Sequence, residues 1–211
     1  MCAAADSAAG APLDFKKLVV TVKDLPGTMI ITSLSSHNRA SYGQPVFVCS
    51  ICESAAAPAT PPGAAAAPVM SSVVLTVSSK KRGDPPGFWE DEVLPPALQL
   101  CWEWIDCMRS TARTAALVVV YDTDQSVAST VAVALIAALF DVRLRAHGWL
   151  VGAAGPHERV TKDTVKRAYA CLQQRCPDLE QVPRRLMKVL NAYFTNPRST
   201  WHAWLVSHLP S

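Results

Sequence analysis

The sequence predicts a single α/β domain, with a central parallel or mixed sheet flanked by helices and extra helices at the C-terminal end. Three observations point there. Short β-favouring runs occupy the first half of the chain, and apolar residues at helical spacing occupy the second. Between them AALVVVYD, residues 115–122, stays apolar without alternating, as a strand covered on both faces does. A length of 211 residues suits one well-buried domain and is short for two catalytic ones. With 50% hydrophobic and 18% charged residues, the chain has the material for a core.

The first two strands are expected in residues 16–34, where LVVTV and TMIITSL are separated by Asp24, Pro26 and Gly27. QPVFVCSI, residues 44–51, is a third and SVVLTVSS, residues 72–79, a fourth. The Ala/Pro tract between them, an insertion at 53–69, lacks large apolar side chains and is expected as an exposed loop. Pro85, Pro86 and Gly87 break the chain before FWEDE, residues 88–92. From Pro95 the period changes: Leu94, Leu98, Cys101, Trp102, Ile105 and Met108 share one helical face. A second helix, apolar nearly all round, should run from near Ser126 to residue 140. Helices are also expected over 162–175 and 180–194, with Pro183 suited to a first turn. This gives a flexible segment at 1–15, a main domain at 16–180 and a helical extension at 181–211.

Composition excludes more than it names. A formal charge of +3 forces neither a nucleic-acid nor an anionic-membrane partner. The longest apolar stretch, Val127 to Phe140, falls short of the roughly 18 residues of a membrane span, so no membrane partner is expected. Seven scattered cysteines read as free thiols in a reducing compartment, and a cytoplasmic location is expected, with mitochondrial or cytoskeletal placement as the alternatives. Cys49 and Cys52 form one CxxC without a second pair, and His37, His147, His157, His202 and His208 follow no ligand pattern. No metal and no cofactor are therefore expected.

A buried strand, a short polar loop and a helix N-terminus make the generic geometry for an anion site. Here that junction is VVVYDTDQSVASTVAVALI, residues 118–136, which has no glycine, lysine or arginine and carries Asp122 and Asp124. With LQLCWEWIDCM ahead of it, this arrangement resembles a dual-specificity phosphatase domain of the cysteine-dependent tyrosine phosphatase superfamily. In that family an apolar strand leads into a His-Cys-x-x-Gly-x-x-Arg-Ser loop and then a helix. Aligned without a gap, Tyr121 takes the His position, Asp122 that of the nucleophilic Cys, Gln125 the Gly, Ala128 the phosphate-clamping Arg and Ser129 the Ser. Only the serine matches. The resemblance implies a general-acid loop near Phe88 to Asp91, with Glu90 and Asp91 as vestigial acids, and spans roughly residues 16 to 176.

The departures imply an inactive domain, because the family's chemistry needs a low-pKa thiol in line with phosphorus and an arginine across the phosphoryl oxygens. The function expected is a catalytically inactive phosphatase-like subunit that scaffolds a larger assembly, with other protein subunits as partners. The alternatives are a pseudophosphatase that binds a phosphoprotein, and an active phosphatase with an atypical nucleophile. DTDQS also has the Asp-x-Asp spacing of haloacid-dehalogenase-type phosphotransferases, but no later lysine or acidic pair follows in order. Aspartates that simply cap the next helix are the plainer reading.

Two further groups are candidate interfaces. Arg184, Arg185 and Lys188, with Lys162, Lys166, Arg167 and Arg175 one helix earlier, form a basic face that either is solvated or contacts RNA. Phe88 or Trp89, and one of the tail tryptophans Trp201 and Trp204, are candidate interface anchors, whereas Trp102 is assigned to the core.

Overall fold

A computed structural model describes residues 13–22, 25–52, 68–77, 87–145, 148–153, 156 and 159–208. Of the expected flexible segment, residues 1–12 lie outside the described residues, as do 53–67 of the Ala/Pro tract, His147 and His157.

Seven strands form one mixed sheet: β1 (Phe15–Val22), β2 (Leu25–Ser33), β3 (Val46–Cys52), β4 (Val69–Thr76), β5 (Ala116–Tyr121), β6 (Phe140–Arg145) and β7 (Gly148–Ala153), in the order β4-β3-β5-β2-β1-β7-β6. β2 and β3 run parallel to β5 on either side, β4 runs parallel to β3, and β1 is antiparallel to β2. The C-terminal ends of β2 to β5 therefore share one edge of the sheet with the start of β1. All six residues of β5 are buried, which is why its sequence shows no alternation.

The helices are α1 (Leu34–Arg39), α2 (Leu94–Thr111), α3 (Gln125–Leu139), α4 (Lys162–Arg175), α5 (Arg184–Thr195) and α6 (Thr200–His208). A π-helical turn, Trp89–Val93, leads into α2, and prolines occupy the first helical positions of α2, where their missing N–H costs nothing. Alternate strand residues such as Leu18, Val20, Met29, Ile31, Leu117 and Val119 join α2 to α6 in one core. On the opposite face Ile30, Val46, Val48, Ala116, Val118 and Val120 form a smaller layer under Phe15, Leu34 and Tyr42. Gly27 lets α2 approach β2: a Cβ there would lie 3.0 Å from the Trp104 ring and 3.1 Å from Met108 Sδ. Trp104 completes the contact by donating from Nε1 to the Ala115 carbonyl at 3.1 Å.

Two expectations need correction. The apolar helix ends at Leu139, and Phe140 already belongs to β6, which pairs antiparallel with β7 as a hairpin added beyond β1. The chain passes from helix to strand without a loop, and Phe140 N–H still closes the last helical bond to Ile136. Helix α5 begins at Arg184 rather than near residue 180, with Pro183 at its N-cap.

Candidate functional site

β5 delivers Tyr121 to the sheet edge, and the turn from Asp122 to Asp124 leads directly into α3. The loop is closed by its own side chains. Asp124 Oδ1 accepts the backbone N–H of Ser126 at 2.9 Å, the Ser126 hydroxyl at 2.6 Å and the N–H of Val127 at 3.3 Å. These are the free amides of a helix N-terminus that an incoming anion would need. Asp124 is thus the helix cap that the plainer reading of the two aspartates expected.

The other loop positions are equally committed. Ala128 is fully buried in the main core, so the position aligned with the phosphate-clamping arginine faces packed side chains instead of the loop mouth. Ser129 is also fully buried, and its hydroxyl donates to the Gln125 carbonyl at 3.1 Å. Asp122 is exposed, and its backbone N–H donates to the Ile51 carbonyl at 3.1 Å. The Cys52 thiol is pushed up by burial and then by the Asp122 charge, the opposite of an activated nucleophile.

Tyr121 and Gln125 tie the loop to two distant segments. Tyr121 Oη donates to Asp14 Oδ2 at 2.8 Å, and Gln125 Nε2 donates to Tyr121 Oη at 3.2 Å. Gln125 Oε1 in turn accepts the backbone N–H of Glu180 at 3.0 Å. Burial, with the Asp14 hydrogen bond next, pushes the Tyr121 phenol up to about 12, so it stays a neutral donor. Lys16 extends the network by pairing with Asp14 at 3.1 Å and Asp178 at 3.5 Å. Sequence reasoning missed Asp14 and Glu180, because nothing local in the chain marks a partner 107 positions from Tyr121.

Glu90 and Asp91 sit in the π turn, half-buried and exposed respectively, and the Glu90 carbonyl accepts from Thr200 Oγ1 at 2.6 Å. That bond anchors the turn to α6. Trp89 and Trp201 are 4% and 0% exposed, so both fill the core and neither is a surface anchor. Phe88 and Trp204 are half-buried, and Trp204 stacks between Trp201 and His208. Trp102, assigned to the core, packs against it half-buried. Arg184, Arg185 and Lys188 are exposed. Among the described residues no cluster of ligands for a metal exists, and Cys49 is buried with its thiol pushed up to about 12.

A family model described as the Rit1 DUSP-like domain matches residues 72–194, more than half of the chain. The chain belongs to that family. The match runs from β4 through the π turn, α2, β5, the closed loop, α3, the β6–β7 hairpin and α4 to the last turn of α5. The mixed sheet flanked by helices agrees with the DUSP-like topology this family carries. No curated protein matches the chain. Among the described residues no helix is long and apolar enough to cross a membrane.

Proposed function

We propose that this chain is a catalytically inert DUSP-like domain that acts by binding, as a scaffolding part of a larger assembly that handles tRNA. One observation carries the inertness: the Asp124 carboxylate occupies the amides of Ser126 and Val127, where a phosphoryl group would be held. A second negative group placed there meets repulsion from Asp124 and finds the Ser126 and Val127 amides already taken. The same closure argues against a pocket that reads phosphoproteins, and equally against an atypical nucleophile on this loop. The label of the matched family refers to initiator tRNA, which supports RNA over protein as the principal ligand. Exposed cations on α4 and α5, Lys162, Lys166, Arg167, Arg184, Arg185 and Lys188, give the domain candidate positive surfaces for such a partner. A cytoplasmic location and further protein subunits go with this reading.

Two assays on the purified full chain test it. Hydrolysis of an aryl phosphate should stay at the buffer background from acidic to neutral pH, with and without divalent metal. A labelled tRNA transcript should bind with an affinity that falls steeply as salt rises. Turnover abolished by Asp122→Asn would overturn the inert reading, and absence of tRNA binding at low salt would overturn the RNA reading.

A further inference from the structure

A cleft opens at the end of α4 remote from the closed loop. It measures about 640 Å³ and lies between the first turn of α4 and the α5–α6 turn, with Arg159, Lys162, Lys166 and His202 among its lining residues. A separate, smaller cavity of about 150 Å³ is lined by Arg159 as well, with Arg167 and the start of β6. The C-terminal end of α4 leads to Glu180, which binds the closed loop. Helix α4, fourteen residues and about 20 Å long, thus has the cleft along its first turns and the chain that returns to the closed loop beyond its last.

Among the described residues that line this cleft, Arg159, Lys162 and Lys166 outnumber the one acid, Asp163. Among the described residues neither Arg159 nor Lys162 has an ion-pair partner, and both are exposed. Asp163, the acidic residue on the rim, faces Lys166 at 3.9 Å, and Asp141 of the smaller cavity is paired with Arg143. The Thr164 amide in the first turn of α4 is already served by Thr161 in a reciprocal cap, which leaves the long cationic side chains as the main groups offered to a ligand. Lys162 and Lys166 stand one turn apart on the same helix, with Arg159 ahead of them, giving a row of cations along an open groove. Such a row suits a repeating anion better than a single one.

We infer that this cleft, rather than the closed loop or the α5 cations, is where the domain grips the phosphate backbone of its RNA. The inference rests on the RNA reading given above. Its chemistry is positioning without sequence readout: Arg159, Lys162 and Lys166 neutralise successive phosphates and release their counterions.

The test compares two double variants of the full chain, Arg159→Glu with Lys162→Glu, and Arg184→Glu with Arg185→Glu. All four side chains are exposed, and thermal melts confirm that both variants fold. Binding of a labelled tRNA transcript is followed by anisotropy between about 50 and about 200 mM salt. The cleft variant should lose at least about tenfold in affinity, and its salt slope should fall by about two, one for each phosphate contact removed. The α5 variant should lose less than about threefold. Equal losses, or a larger loss in the α5 variant, would overturn the cleft while leaving the RNA reading standing. No tRNA binding by the unaltered protein would overturn both. Equal competition by a polyglutamate peptide of matched charge would show an acidic protein to be the ligand, and would overturn the cleft as an RNA site.

Discussion

At the scale of single residues, the loop between β5 and α3 is a turn closed by its own carboxylate. A phosphate loop leaves its helix amides open and supplies a cation from the first helical turn. Here a carboxylate sits on the amides, and a methyl group packs into the core where the cation would start. Asp124 therefore acts on stability. Asp124→Ala removes three hydrogen bonds to one oxygen and should cost about 1–2 kcal/mol, read as a lower urea midpoint with an unchanged slope. Asp124→Asn retains an acceptor and should recover most of that loss. An alanine variant as stable as the parent would mean that the cap does not hold the helix start.

At the scale of elements, how legible each piece was depends on whether its signal is local. β5 and α3 declared themselves because burial on all sides leaves an unbroken apolar run. The stripes of α4 and α5 followed from their period, and the two prolines at the start of α2 marked its entry. β6 was overlooked although Phe140, Val142 and Leu144 alternate with Asp141, Arg143 and Arg145, because a long apolar helix flows into it without punctuation. Of the candidate site, the capping aspartate was readable, whereas Asp14, the Glu180 amide and the cleft that Arg159 and His202 both line depend on tertiary packing. The tail helix α6 has the weakest sequence signal and the clearest anchor. Trp201 is fully buried, 5.2 Å from the Phe194 ring and 5.4 Å from Trp204, yet its Nε1 is buried without a hydrogen-bond partner among the described residues. Trp201→Ala should cost about 3–5 kcal/mol, while Trp201→Phe, which keeps a ring and removes the orphan donor, should cost far less. Denaturation curves that fail to separate the two variants would show that the ring does not dock α6.

At the scale of the whole molecule, the question is whether the sheet and the C-terminal helices unfold as one body. The thiols answer it, because they are spread through the layers of a single core. Cys49 lies on β3, Cys101 on α2, Cys171 on α4 and Cys176 just beyond it, and all four belong to the main cluster. Burial pushes each thiol up, to about 12 for Cys49 and about 11 for Cys171, so in the native state thiolate is scarce as well as shielded. Cys107, half-exposed on α2, should alkylate first among the described cysteines near neutral pH. The four core thiols should then become reactive together, at one urea midpoint, since a cooperative core opens as a unit. Peptide-resolved alkylation across a urea series measures this directly. If Cys171 and Cys176 reacted at lower urea than Cys49 and Cys101, α4 would be peeling from the sheet on its own. The proposed RNA cleft would then rest on a mobile helix, and bound tRNA should draw the two midpoints back together.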